Sequence, residues 1–175
     1  AVNGGGFYIV SGSGSLTLVN SQITNNESDL SGGGLYGNIT ANLTSVTVSN
    51  NRALSGKGGG IYSAGSNNQL ALNYVTLENN QALSGDGGGL SNDAIVRLSA
   101  AMVAHNRAAN GGGLYNNSSG RLSIVESIGY LNSATQGGGI NNRGALTLTQ
   151  STLYSNTTTL QGGSALYNAS TANAQ

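Results

Sequence analysis

Six carboxylates, Glu27, Asp29, Glu78, Asp86, Asp93 and Glu126, and a single histidine, His105, are the side chains most able to move a proton in this chain. Cleaving a glycosidic bond needs two carboxyl groups held about 5 to 10 Å apart. When the chain is aligned on its own repeats, the six acids share no common column; Asp86 with Asp93 is the only nearby pair in sequence. Without such a pair, and with one histidine, no catalytic residue is assigned and no enzymatic activity is expected. There is no cysteine, and His105 has no carboxylate at ligand spacing, so no transition-metal site is expected either. The run Gly85 to Asp93, GDGGGLSND, has the look of a calcium-binding glycine repeat, but it occurs once where such repeats come in arrays. The glycine-rich segments lack the GKS or GKT of a phosphate loop, and none opens a helix. No cofactor is expected.

What remains is a repeat. Glycine triplets, or a near match, begin at Gly4, Gly32, Gly58, Gly87, Gly111, Gly137 and Gly162, 24 to 29 residues apart. A second, gapless block of eleven residues, L-x-L-x-x-s-x-[ILV]-x-N-N, ends at Asn26, Asn51, Asn80, Asn106, Asn132 and Asn156. Its first apolar column is Leu16, Ala41, Leu70, Val96, Leu122 and Leu146; its second is Leu18, Leu43, Leu72, Leu98, Ile124 and Leu148. Alternation with period two is the mark of a half-buried strand, and no helical i, i+3, i+4 recurrence is present. A small column at Ser21, Val46, Val75, Ala101, Ser127 and Ser151, and an apolar one at Ile23, Val48, Leu77, Val103 and Leu153, continue the inward face. Gly129 interrupts the last column beside Ile128, where a one-residue slip or bulge is expected.

Length varies only between the blocks. A solenoid has this property, because strands must stay in register with the coils above and below while perimeter loops are free. The reading is therefore all-β: a parallel β-helix (β-solenoid) of about six coils, roughly 26 residues per coil, and roughly 29 Å long at about 4.8 Å per coil. The chain reads as one domain over 1–175, opening and stopping in mid-pattern, and so is expected to be a mature part or an excerpt of a longer repeat protein.

Composition agrees and narrows the partners. Charged residues make up 7% of the chain, the formal net charge is zero and the six basic residues are scattered, so nucleic acid is not expected as a partner. No stretch approaches the roughly 20 apolar residues of a membrane span, so no membrane insertion is expected within this segment. Proline, which would break a ladder, is absent.

The repeated polar residues suit a ladder better than a reaction. Identical Asn side chains one coil apart both donate and accept, so Asn26, Asn51, Asn80, Asn106, Asn132 and Asn156 are expected to bond in a column and to tolerate left-handed turn geometry. His105 falls in the column of Asn25, Asn50 and Asn79 and reads as a polar corner residue. Glu27 and Arg52 align one coil apart, placed for a surface ion pair. Tyr8, Tyr36, Tyr62 and Tyr115 follow the triplets in one column and are the candidate binding surface: an aromatic ladder that either contacts a sugar or protein or only steadies the coil edge. The position between the two core columns reads Thr17, Asn42, Ala71, Arg97, Ser123 and Thr147, which is no regular threonine face of the kind that orders ice.

The segments GGGLY at 32–36, GGGIY at 58–62 and GGGLY at 111–115, together with ITNN at 23–26, VSNN at 48–51, LENN at 77–80, VAHN at 103–106 and LYSN at 153–156, resemble the GGAI and FxxN repeats of chlamydial polymorphic outer-membrane proteins. They are similar also to bacterial surface proteins with GGGIYN-type repeats. That resemblance implies a right-handed parallel β-helix, secreted to the cell surface or outside the cell, autotransporter-like and often adhesive. The expectation is a non-enzymatic structural or adhesive module that extends from a surface or assembles into filaments. Its expected partners are other copies of itself, packed end to end or laterally, or host and surface glycans and proteins. The alternative is a carbohydrate-binding or polysaccharide-cleaving β-helix protein.

Overall fold

The computed structural model describes residues 1–10, 14–160, 162–169 and 173–174, and every strand pair in it is parallel. The two-strand alternation of the eleven-residue block produces two sheets at once. Its first half forms the long sheet, with five-residue strands Ser15–Val19, Thr40–Thr44, Gln69–Asn73, Ile95–Ser99, Arg121–Val125 and Ala145–Thr149, continued by Asn173–Ala174. Its second half forms a six-stranded sheet of three-residue strands, from Gln22–Thr24 to Thr152–Tyr154. A seven-stranded sheet follows the glycine triplets, running from Phe7–Ile9 to Leu166–Asn168. Short two-residue ladders such as Glu27–Ser28 with Arg52–Ala53 close the perimeter. Among the described residues there is no helix.

The register follows the sequence columns one for one. Leu18 pairs with Leu43, Leu43 with Leu72, Leu72 with Leu98, Leu98 with Ile124 and Ile124 with Leu148. These side chains, with Val48, Leu77, Leu35, Ile61, Leu90 and Ile140, fill a single apolar core bounded by the three sheets. Because the strands keep their length and alternation from coil to coil, every coil contributes the same few apolar groups, and the core grows by stacking.

Two corners of fixed length explain why the block has no gaps. The long sheet and the six-stranded sheet are joined by two residues, the first left-handed: Asn20, Ser45, Tyr74, Ala100, Glu126 and Gln150 have φ of 48° to 54°. The next corner repeats the device at Asn25, Asn50, Asn79, His105, Leu131 and Ser155, with φ of 51° to 58°. In each corner the residue that follows is turned into the core. Thus the left-handed geometry expected of the ladder asparagines falls on the residue before each of them. At the first corner the inward residue is Val46, Val75 or Ala101 where the core is apolar. Where it is serine, the hydroxyl donates back to the carbonyl two residues earlier, as Ser127 does to Val125 at 2.8 Å.

Two details differ from the sequence reading. Gly129 causes no slip: it pairs with Val103 and Leu153 in register, and Ile128 remains outside. Leu153 instead leans into the space, its Cδ2 2.7 Å from where a Cβ on Gly129 would sit. The last triplet is shifted by one. Ile140 pairs with Leu166, which makes Gly163, Ser164 and Ala165 the equivalents of Gly137, Gly138 and Gly139.

The triplets themselves have a steric cause. Gly58 has φ +68°, a conformation that costs any L side chain, and a Cβ on Gly59 would run into the backbone of Gln81 in the following coil.

Leu131 holds a left-handed conformation with its side chain 47% exposed, so it carries backbone strain without a packing return. Leu131→Asn should therefore stabilise the fold by about 0.5 to 1 kcal/mol, read as a higher denaturation midpoint at unchanged m-value.

Candidate functional site

The expected asparagine column forms one continuous hydrogen-bonded ladder. Each Nδ2 donates to the Oδ1 of the next: Asn26 to Asn51 at 3.0 Å, Asn51 to Asn80 at 3.0 Å, Asn80 to Asn106 at 3.1 Å, Asn106 to Asn132 and Asn132 to Asn156 at 3.0 Å. The second amide hydrogen goes to a strand carbonyl of the preceding coil, Ile23 for Asn51 and Val48 for Asn80. Each inner Oδ1 also accepts the backbone N–H of the asparagine before it, as Asn80 does from Asn51 at 3.0 Å. All four bonding capacities of an inner amide are thereby used while the residue is fully buried, which is the condition for a polar column inside a core.

A second ladder was not foreseen. Asn92 donates to Asn116 at 2.8 Å, Asn116 to Asn142 at 2.7 Å and Asn142 to Asn168 at 2.7 Å, at the end of the strands after the triplets. The signal was present as the N of GLYN, GINN and ALYN, but Gly37 and Ser63 occupy the same column in earlier coils and hid it. The inner rungs of both ladders are buried, and their role is to lock coil to coil.

The tyrosine column lies on the outer side of the sheet after the triplets. Tyr8, Tyr36 and Tyr62 are register partners with ring centroids 5.1 and 5.3 Å apart. Ser91 then interrupts the column, and Tyr115 beyond it is only 6% exposed. Tyr62 closes the gap by reaching into the next coil, where its hydroxyl donates to Asp93 Oδ2 at 2.6 Å. Lys57 Nζ stands 3.3 Å from the same oxygen and 5.6 Å from the Tyr62 ring centre. Burial first, and then the hydrogen bond and charge of Asp93, raise the Tyr62 hydroxyl well above the usual phenol range; burial likewise raises Tyr115. Beyond Tyr115, Asn141 is fully buried with neither amide atom bonded to protein. The column regains a ring at Tyr167, the half-buried register partner of Asn141, so its aromatic surface is split between the first coils and the last.

The remaining candidates are each engaged by partners of their own. Asp86 accepts Asn110 Nδ2 at 2.8 Å, while Asp93 is engaged by Tyr62 and Lys57. Glu27 and Arg52 meet at 3.1 Å, both about half exposed. His105 packs edge-on to Tyr130, centroids 5.7 Å apart, and Tyr130 stacks on Tyr154 at 5.2 Å and 7°. This second aromatic pair went unread because its column, Thr24, Ser49, Glu78, Ala104, Tyr130 and Tyr154, shows no repeating type. Among the described residues no three His, Cys, Asp or Glu side chains gather in one place, and no helix is long and apolar enough to cross a membrane.

The architecture is that of a parallel β-solenoid repeat protein. Residues 45–64, which span the second corner pair through GGGIY, match the family model of the Chlamydia polymorphic membrane protein (Chlamydia_PMP) repeat. The resemblance read from the sequence is borne out there. No curated protein and no solved structure matches the chain. A repeat of this kind suggests a surface or autotransporter-like passenger β-helix.

Truncating Asn80 strands the backbone N–H and Nδ2 of Asn51 and the carbonyl of Val48 in the core. Asn80→Ala should cost about 2 to 4 kcal/mol, and Asn26→Ala, whose amide gives a single ladder bond, about 1 kcal/mol; parallel denaturant titrations compare the two. The raised Tyr62 hydroxyl stabilises the fold fully below the unfolded phenol pKa of about 10, and that contribution is lost as pH rises through the folded value. An absorbance titration should find late-ionising phenols, with the latest removed by Tyr62→Phe.

Proposed function

We propose that the chain is a non-enzymatic segment of a surface-displayed passenger, whose work is to extend from the cell and to adhere. The observation that carries this reading is the contrast between inside and outside. The core columns and the first asparagine ladder repeat through the coils and the second ladder through the later ones, while most outward columns, apart from the first three tyrosines, change type from coil to coil. A rod built this way is stiff along its axis and free to vary its surface, which suits a module that holds contact residues away from a membrane. The Chlamydia polymorphic membrane protein repeat at 45–64 supports the surface location.

The partners that fit are surface glycans and proteins met by the outer faces, and further copies of the same rod packed alongside or end to end. The acids do not argue for a cleaving enzyme, since Asp86 and Asp93 are each engaged by different neighbours.

Displayed on a non-adherent bacterium, the chain should raise attachment to host cells at least severalfold over an unrelated β-solenoid displayed at equal density. No gain in attachment would sink the adhesive role. Electron microscopy of the same material separates the assembling variant: filaments with an axial repeat near 4.8 Å support it, and dispersed short rods refute it.

A further inference from the structure

A groove of about 580 Å³ lies on the outer face of the long sheet and crosses five strands. Its charged residues are Arg97 and Arg121, set among the neutral donors and acceptors Asn42, Gln69, Ser123 and Thr147. Arg97 pairs with Ser123 and Arg121 with Ile95, so the two arginines are one coil and two residues apart on one face. Strand spacings place their Cα atoms roughly 8 Å apart. Arg121 also lines an adjoining cavity of about 350 Å³ with Arg143. Arg143 precedes Ala145, the register partner of Arg121, by two residues and so repeats the same diagonal step. Three coils thus carry a slanted row of arginines, all exposed.

The row is uncompensated. No carboxylate lines either cavity. The ion pairs among the described residues are Arg52 with Glu27 and Lys57 with Asp93, and neither includes a member of the row. Asp93, which stands in the corner column of Arg143 two coils away, is already bound by Lys57 and Tyr62. The Arg143 guanidinium carbon stands 6.0 Å from the centre of the Tyr115 ring. Half of the six basic residues of a chain with no net charge are therefore gathered along this groove and the cavity that adjoins it, where like charges along a concave surface focus a positive potential.

We propose that this groove binds an extended acidic polysaccharide, one whose sugar units carry carboxylate or sulfate groups. Guanidinium groups meet such anions with paired hydrogen bonds, and the row would take charges on successive parts of one chain. The amides and hydroxyls of Asn42, Gln69, Ser123 and Thr147 lie where sugar hydroxyls need partners, and Ala71, Ile95 and Ala145 leave the floor flat enough for a ring to rest on. Single-stranded nucleic acid is held by stacking its bases on aromatic side chains, and the groove lining contains none. The inference names a partner for the adhesive surface and rests on that reading.

The test is retention of the purified chain on beads carrying alginate, dextran sulfate or neutral dextran, with single-stranded DNA as competitor. Retention on both acidic glycans, weakened by salt and absent on dextran, is expected. The variant carrying Arg97→Ser, Arg121→Ser and Arg143→Ser should lose at least tenfold in affinity while keeping its melting temperature. The variant carrying Arg52→Ser and Arg107→Ser, outside the groove, should bind as the parent does. No retention, equal retention on neutral dextran, unchanged binding by the triple variant, or displacement by DNA as effective as by free glycan would each overturn the proposal. Attachment to host cells that persists in the triple variant would overturn the groove alone and leave the adhesive role standing.

Discussion

Everything in this molecule depends on keeping one coil in axial register with the next. A parallel solenoid has no hairpin to fix register, and a slip of one residue would turn every core side chain outward. Register is set here by buried amides. An inner rung such as Asn80 touches Asn51, Asn106 and the Val48 carbonyl, so it ties three coils together at one point of the circumference. A slipped coil would leave these groups unpaired inside the core, which is a larger penalty than the loss of a few apolar contacts. The second ladder, from Asn92 to Asn168, does the same at another corner in the later coils.

The left-handed corners are the counterpart of the ladders. Each carries the chain from one sheet to the next in two residues and points the second side chain inward, so the distance from one strand to the next has no slack. Asparagine serves three of the six positions in the corner that precedes the ladder, and His105, Leu131 and Ser155 fill the others. That non-asparagine residues are carried in a conformation that disfavours them indicates how strongly the stacked neighbours impose the backbone.

The solenoid was legible because its constraint acts on columns, and columns are visible in a sequence. The leucine columns, the first ladder and the Glu27–Arg52 pair could all be read by laying repeats over one another. Gly129 suggests a slip or bulge in the sequence because a missing side chain looks like a missing residue; the sequence does not reveal that Leu153 can lean across from the next coil. The shifted last triplet, Gly163 to Ala165, was hidden by the glycine at 162. The second ladder and the Tyr130–Tyr154 stack escaped for the opposite reason, since each occupies only part of its column. Tyr115 shares its column with Tyr36 yet is buried, because exposure depends on what the neighbouring corner residues cover.

The arginine row belongs to a third category. Arg97, Arg121 and Arg143 stand in three different columns, so no alignment of repeats brings them together; the diagonal appears only after the coils are wound. Residues that hold the rod together must recur at one position in each turn, because each turn needs the same bond. A ligand lying across the turns imposes no such periodicity. In a solenoid, therefore, columns report stability, and groupings that cut across columns are where a binding surface should be sought.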